Sequence, residues 1–197
     1  MPRQPEFDRN QVLDRALDLF WSHGYESSSI SKLLDAMEMN RGSLYAAFGG
    51  KSNLYIEVLD HYMDMLRREL FSCSLAKQDD PKGAITGFYQ KAFIEYEDKD
   101  QLANGCLFFN TINELNKTEP KLAIKAVEAI EWIKQLFVAR LTEAQQAGLI
   151  KREKSAESLA DYLIGLTAGL RSLCKSSASP EVLQQVIDTG LTPVFGD

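Results

Sequence analysis

Basic and hydroxyl-bearing side chains lie close together in one N-terminal segment of the sequence. From Met39 to Ile56 there are two basic residues, Arg41 and Lys51, and no acidic residue. An arginine can bond bidentately to the edge of a guanine or reach a phosphate, and the hydroxyl of Tyr45 can donate to a phosphate oxygen. Lys51 stands where a helix is expected to begin, and the free N–H groups of a helix N-terminus attract phosphate. The segment therefore predicts binding of nucleic acid.

Two short helices are predicted to position these side chains. One runs from Ser28 to Met37 and the other from Arg41 to Phe48, and three residues join them. This spacing is typical of a helix-turn-helix, whose second helix enters the major groove of DNA. Leu44 and Phe48 are four apart and are expected to face the core, whereas small and polar residues face the DNA. The second-helix residues predicted at that surface are Arg41, Gly42, Ser43 and Tyr45.

The whole sequence is predicted to be helical. Apolar residues recur at intervals of three and four, and no period of two persists, which is typical of amphipathic helices. We expect an all-α fold of about nine helices in two domains. A three-helix domain would span residues 6–66, with the helix-turn-helix at 29–48, and a helical ligand-binding and dimerisation domain would span residues 67–197. The residues expected to form a solvated, charged loop are Glu95, Glu97, Asp98, Lys99 and Asp100.

The composition limits the kind of partner and the compartment. The net charge is −6 and the isoelectric point is about 5.1, so the chain is not expected to coat nucleic acid indiscriminately, although specific binding needs only a local positive footprint. The sequence has no run of ~18 apolar residues, and its N-terminus has no apolar signal segment. The three cysteines are widely spaced, which fits free thiols. We therefore expect a cytoplasmic protein that does not contact membranes.

The sequence contains no pattern for catalysis, cofactor binding or metal binding. The segment Gly50–Ser52 resembles the end of a phosphate-binding loop, but Tyr45 stands where that loop requires a glycine. His23, His61 and the cysteines lack the spacing of metal ligands. No nucleophile motif of the Gly-x-Ser-x-Gly kind is present. We therefore expect no enzymatic activity, no cofactor and no bound metal.

Part of the sequence resembles the N-terminal domain of the tetracycline-repressor (TetR) family, namely LDLFWSHGYESSSISKLL and RGSLYAAFGGKSNLY. Two later stretches, GCLFFNTINEL and GLTAGLR, resemble one subgroup of that family. The resemblance implies a homodimeric one-component regulator that binds operator DNA, usually represses transcription, and is released by a small ligand. The matching N-terminal positions are Ala16, Phe20, Gly24, Tyr25, Ser28, Ala36, Gly42, Leu44, Tyr45, Phe48, Lys51 and Leu54.

The resemblance also implies individual DNA contacts, and two positions depart from the family pattern. Glu38 stands where the family usually has glycine, at the end of the first motif helix, and a glutamate at positive φ is strained. Asn40 stands where serine is common, and it caps a helix equally well. The DNA-contacting residues implied by the resemblance are Ser28, Arg41, Gly42, Ser43, Tyr45 and Lys51.

The C-terminal part is predicted to bind the releasing ligand. Aromatic residues are frequent between Phe88 and Trp132, and a subset is expected to line a pocket for an apolar or aromatic small molecule. Cys106 has two interpretations: a thiol that senses oxidants or electrophiles, as in some relatives within the family, or a small buried core residue. The candidate ligand-binding residues are Phe88, Tyr89, Cys106, Phe109 and Trp132.

Dimerisation is predicted through two long helices, at about residues 120–147 and 155–174. Both carry apolar residues on more than one face, so one face is left over after the subunit's own core has formed. Gly165 and Gly169 are four residues apart and would allow a partner helix to approach closely. Close packing within one subunit is the alternative interpretation of these two glycines.

The main alternative function belongs to another class. A helical binding or scaffold protein could keep this fold while its first domain loses its affinity for DNA. The acidic net charge and Glu38 favour this alternative. A gel-shift experiment against genomic DNA fragments distinguishes the two functions.

Overall fold

The computed structural model describes residues 7–76, 80–96 and 98–196, with the backbone alone at residues 99 and 100. Within these residues the chain forms ten α-helices and no strand, which confirms the all-α prediction. None of the described helices is both long enough and apolar enough to cross a membrane. The helices are α1 (Arg9–His23), α2 (Ile30–Met37), α3 (Arg41–Phe48), α4 (Lys51–Glu69), α5 (Pro81–Tyr89), α6 (Lys99–Ala103), α7 (Leu107–Leu115), α8 (Pro120–Gln146), α9 (Ala156–Lys175) and α10 (Pro180–Phe195).

The nine predicted helices all occur in the described chain, and α6 is an additional short one. It begins inside the segment predicted to be a solvated loop, so that prediction is wrong for residues 99 and 100. The cause is local: the Asp98 side chain accepts a hydrogen bond from the N–H of Gln101 at 2.9 Å and caps the first turn. Glu95 is exposed, as expected, and Glu97 lies outside the described residues.

Side-chain caps and glycines explain where the N-terminal helices begin and end. Asp8 caps α1, Ser29 caps α2 and Asn40 caps α3, each by accepting a hydrogen bond from a backbone N–H of the first turn. These N–H groups have no partner inside their helix, so the caps satisfy them. At the opposite ends, Gly24 and Gly49 have φ values of 80° and 75°. Glycine adopts such values without the steric conflict of a Cβ.

The first of two compact units contains the residues up to Asp64 together with residues 107–127. Its core includes contacts between α7 and α4: the hydroxyl of Tyr55 is hydrogen-bonded to that of Thr111 at 2.8 Å, and both side chains are buried. Phe20 of α1 meets the Tyr55 ring edge to face, with 4.7 Å between centroids. Burial raises the pKa of Tyr55, so its hydroxyl stays protonated. Helices α1, α4 and α7 therefore share one core.

The second compact unit contains the rest of the described chain and has an aromatic core. Phe88 and Tyr89 of α5 pack against Phe137 of α8, with ring centroids 5.1 and 6.3 Å away. The Tyr89 hydroxyl donates to the carbonyl oxygen of Leu163 in α9 at 2.9 Å. Because a buried polar group needs a hydrogen-bond partner, this bond lets tyrosine occupy a core position that joins α5 and α9.

Candidate nucleic-acid interface

Three residues, Glu38, Met39 and Asn40, join α2 to α3, as the helix-turn-helix spacing predicts. Glu38 adopts the left-handed conformation (φ 54°, ψ 43°), which confirms the strained geometry expected of a glutamate at this position. The N–H of Met39 donates to the carbonyl of Leu34 at 3.0 Å. Arg15 Nη1 lies 2.8 Å from a Glu38 carboxylate oxygen. Backbone bonding and an ion pair to α1 thus hold the turn.

The α3 helix separates buried from exposed side chains as its apolar pattern predicts. Leu44 and Phe48 are buried. Arg41 and Gly42 are exposed, and Tyr45 is 48% exposed although it is a large aromatic residue. One side of α3 is therefore left uncovered, and this side carries the groups suited to contact DNA.

Gly42 and Ser43 also belong to the N-terminal cap of α3. The N–H of the half-buried Ser43 donates to Asn40 Oδ1 at 2.8 Å. A Cβ added at Gly42 would lie 3.3 Å from the same oxygen, which is a tight contact. The cap therefore favours glycine at this position, independently of the room that a DNA partner would need.

Lys51 is the first residue of α4 and is half-buried. Its Nζ lies 4.2 Å from the centroid of the Tyr25 ring, which is a cation–π contact. Burial lowers the pKa of Lys51, and the carboxylates of Glu26, Glu114 and Glu119 oppose that shift. The ammonium thus already has electrostatic partners within its own unit.

Ser28 is placed differently from the other predicted contacts. It has no exposed surface, and its Oγ donates to the carbonyl of Gly24 at 2.6 Å. Its N–H donates to the carbonyl of Tyr25 at 3.1 Å. The expectation that Ser28 touches DNA is corrected accordingly: its side chain stabilises the turn between α1 and α2.

Lys32 is an exposed cation that the sequence prediction omits. It lies in the first turn of α2, and its Nζ donates to the carbonyl of Ser27 at 3.1 Å. Ser27, Ser29 and Ser31 beside it in the sequence are exposed as well. The sequence alone could have indicated Lys32 as a DNA contact. This lysine follows the capping serine by three positions, at a helix end whose N–H groups attract phosphate.

The structure places the five predicted ligand-binding residues in different surroundings. Phe88 and Tyr89 are buried in the aromatic core, and Cys106 is buried as well. Trp132 is 37% exposed. Phe109 belongs to the first compact unit, whereas the other four belong to the second.

Two clefts of the second unit are lined by residues other than the five predicted ones. One, of about 600 Å³, lies between residues 148–154 and the end of α10. The other, of about 350 Å³, is lined by the end of α4, the π-helical turn at residues 90–94, and α6. None of the five predicted residues lines either cleft. Phe88 and Tyr89 fill the core of the second unit, and their contact with a ligand stays a prediction.

Comparisons with known proteins agree with this geometry. The family profile described as "Bacterial regulatory proteins, tetR family" matches residues 12–58, and the one described as "Tetracyclin repressor-like, C-terminal domain" matches residues 88–189, more than half of the chain. The HTH-type transcriptional repressor ComR of Escherichia coli is 28% identical over 191 residues, covering 96% of this chain and 90% of ComR. The repressor DhaR of Mycobacterium sp. (strain GP1) is 28% identical over 188 residues, covering 95% of this chain and 90% of DhaR.

A solved structure supplies a similar fold bound to DNA. It contains a cysteine-substituted variant of the TetR family regulator CifR in complex with 26-bp double-strand operator DNA. The two chains are 27% identical with a TM-score of 0.84, and the match covers 98% of this chain and 99% of that one. The two profiles match in order along the chain, the N-terminal one over the helix-turn-helix and the C-terminal one after it. The chain therefore belongs to the TetR family of transcriptional regulators.

Proposed function

We propose that this protein is a one-component transcriptional repressor that binds operator DNA as a homodimer and is released by a small-molecule signal. The observation that carries this proposal is the exposure of Arg41 and Tyr45 on α3, while Leu44 and Phe48 of the same helix are buried. A recognition helix needs this arrangement because its uncovered side must fit the major groove. ComR and DhaR are named as repressors, and CifR is seen with operator DNA, which supports the same function.

The proposed DNA contacts divide into those that read bases and those that position the protein. Arg41 is the first residue of α3 and can bond to a base edge or a phosphate. Gly42 and Ser43 allow the backbone to approach the groove. Tyr45 and Lys51 contact phosphates, which carry affinity but no direct sequence information.

The proposal assigns DNA binding and regulation to two consecutive parts of the chain. Residues 6–66 form the DNA-binding domain, and residues 67–197 form the regulatory and dimerisation domain. Such a regulator acts in the cytoplasm, where it meets its operator. Membership of a family of DNA-binding regulators supports the prediction that the chain is not an enzyme.

The homodimer is proposed to form through α8 and α9. On α8, Ile124 and Val127 are 57% and 51% exposed. On α9, Tyr162 is 41% exposed, and a Cβ added at Gly165 or Gly169 would meet nothing within 4 Å. Each of the two helices thus has exposed apolar residues or open space that a second copy can cover.

The releasing signal is proposed to be an apolar or aromatic small molecule that binds in the second unit. Its two clefts, of about 350 and 600 Å³, lie within the range of ~300–1,000 Å³ typical of ligand pockets. A ligand that lowers the affinity for DNA must itself bind the DNA-bound form more weakly by the same factor. An electrophile that reacts at Cys106 is the alternative signal.

Electrophoretic mobility shifts with fragments of genomic DNA, run at two salt concentrations, test the proposed function. A repressor is expected to shift a small set of fragments, and the shift should weaken as salt increases because phosphate contacts release counterions. Absence of any shift at both salt concentrations would overturn the proposal and favour the scaffold function.

A further inference from the structure

A carboxylate of α7 holds the turn between α1 and α2. Glu114 Oε2 accepts a hydrogen bond from the N–H of Tyr25 at 3.1 Å, and Glu114 Oε1 accepts one from the N–H of Glu26 at 2.8 Å. The two N–H groups are consecutive in the chain and follow the end of α1. Both oxygens of the Glu114 carboxylate thus accept hydrogen bonds from the same turn. Such charge-assisted hydrogen bonds are stronger than hydrogen bonds between neutral groups.

Gly24 shows how closely the turn approaches this carboxylate. Its φ and ψ are 80° and 169°, a combination that essentially only glycine adopts. A Cβ at this position would lie 2.8 Å from Glu114 Oε2, closer than packed atoms allow. The backbone conformation therefore requires glycine here, and the carboxylate would have to shift to make room for a Cβ.

The turn held by Glu114 carries two parts of the proposed DNA surface. The Tyr25 ring lies beneath the Lys51 ammonium at 4.2 Å. Ser28 continues the turn through bonds to the carbonyls of Gly24 and Tyr25 and leads directly into the N-cap of α2. The position of the turn therefore sets both the lysine at the start of α4 and the first turn of α2.

The charge of Glu114 would weaken DNA binding, whereas its hydrogen bonds to the turn would favour DNA binding. Glu114, like Glu26 and Glu119, lies near enough to Lys51 to affect its pKa. A carboxylate near a phosphate-binding lysine repels DNA and competes for the ammonium. If charge were its main contribution, removing it would strengthen DNA binding. If it positions the turn, removing it would weaken DNA binding.

We propose that Glu114 is a positioning residue for DNA binding, by which α7 holds the α1–α2 turn, the start of α2 and Lys51 in the DNA-binding arrangement. This inference rests on the proposed DNA-binding function. A movement of α7 would therefore also alter the DNA surface, because a displacement of α7 by about 1 Å would stretch both hydrogen bonds beyond hydrogen-bonding length. Glu114 itself does not need to touch DNA.

Two variants of Glu114 distinguish the effect of its hydrogen bonds to the turn from the effect of its negative charge. Glu114→Gln keeps the shape, but it places an NH₂ group opposite one of the two donors and so loses at least one bond. Glu114→Asp keeps the charge but is shorter by one methylene. The control is Glu119→Gln, which removes a charge near Lys51 but retains a side-chain oxygen that can accept from the Tyr25 hydroxyl, and which leaves the backbone hydrogen bonds of the turn unaltered.

The experiment measures operator affinity by fluorescence anisotropy and amide hydrogen exchange at Tyr25 and Glu26 by NMR, with thermal melts to verify folding. Both Glu114 variants are expected to bind operator roughly tenfold more weakly and to exchange these two amides faster. Glu119→Gln should bind as tightly as the wild type or more tightly. Equal or tighter binding by Glu114→Gln, with unchanged exchange, would overturn the inference. A wild-type protein that binds no DNA would instead overturn the proposed function.

Discussion

At the scale of single residues, the contact between Lys51 and the Tyr25 ring is compatible with the phosphate contact proposed for this lysine. Its ammonium lies 4.2 Å from the Tyr25 ring centroid, and a partly exposed cation–π contact contributes only ~0.5–1 kcal/mol. A phosphate contact releases a condensed counterion, and that gain grows as salt is lowered. The tyrosine ring can therefore hold the lysine near the surface without preventing it from binding phosphate.

Replacement of Lys51 by alanine is expected to weaken binding to every DNA sequence. Loss of one phosphate contact should reduce the slope of log Kd against log salt by about one unit. Anisotropy titrations of operator fragments at several salt concentrations measure this slope. Lys151 supplies the control, because its side chain is 85% exposed in the second unit and Lys151→Ala should leave the slope unchanged. A wild-type slope for Lys51→Ala would exclude its phosphate role.

Arg41 and Tyr45 are expected to differ in what their replacement changes. Arg41→Ala should alter the preference among operator variants, since a bidentate base contact contributes ~1–3 kcal/mol of discrimination at one position. Tyr45→Phe removes only a hydroxyl that reaches phosphate, so affinity should fall equally for all variants. Selection of binding sites from a randomised library compares the two. If Arg41→Ala selects the wild-type sites with unchanged preference, Arg41 does not read bases.

Cys106 is expected to behave as a core residue because it is buried, whereas Cys73 is exposed. Thiol reagents should therefore modify Cys73 first. In a Cys73→Ser background, treatment with N-ethylmaleimide should affect the operator affinity of Cys106→Ser and of its parent equally. Release of DNA from the parent alone would reverse this interpretation and assign electrophile sensing to Cys106.

At the scale of elements, the α2–α3 turn combines an unfavourable backbone with a favourable side-chain contact. The left-handed conformation of Glu38, with φ at 54°, costs a non-glycine residue roughly 1–2 kcal/mol. Its ion pair with Arg15 joins side chains that are 74% and 40% exposed, and such surface pairs contribute only ~0–1 kcal/mol. Glutamate is therefore expected to leave this turn strained.

Replacement of Glu38 by glycine is expected to raise the free energy of unfolding by up to ~1 kcal/mol, because relief of backbone strain exceeds loss of the exposed ion pair. Glu38→Ala is the matched control, since it loses the ion pair and keeps the strain. Urea denaturation at one fixed protein concentration compares the three proteins. A glycine variant less stable than the alanine variant would show that the turn is not strained.

At the scale of the whole molecule, the function requires two recognition helices at a fixed separation. Half-sites one turn of DNA apart are separated by ~34–36 Å, and one subunit offers a single α3. A small change in the spacing of the two copies would misplace one helix, which is how a ligand in the regulatory domain can lower affinity. The proposed dimer interface would therefore take part in the proposed switch.

Gly165→Leu is expected to convert the dimer to monomers without unfolding the subunit. A Cβ at Gly165 meets nothing within 4 Å in the subunit, so the larger side chain projects toward the proposed partner. Sedimentation equilibrium should show a dimer dissociation constant raised by roughly 5- to 150-fold, since overpacking a close helix contact costs about 1–3 kcal/mol. Gly165→Ala, which adds one carbon to open space, should keep the dimer. An intact Gly165→Leu dimer would place the interface elsewhere.

Local signals were sufficient to predict nine of the ten helices in the described residues and the exposed side of α3. Apolar spacing of three and four, capping residues such as Ser29 and Asn40, and the three-residue turn all act between neighbours in the chain. They predicted that Leu44 would be buried and Tyr45 exposed, and the structure agrees. The strained conformation at Glu38 was expected instead from the resemblance, because the family usually has glycine at this position, and the structure agrees.

Contacts between residues far apart in the chain required the tertiary structure. Glu114 bonds to backbone groups 88 and 89 residues away, and no local pattern indicates such a pair. Ser28 and Tyr89 have side chains typical of binding surfaces, yet both are buried with their hydroxyls hydrogen-bonded. Whether a side chain becomes core or surface depends on which distant element covers it, and periodicity reports only the faces of its own helix.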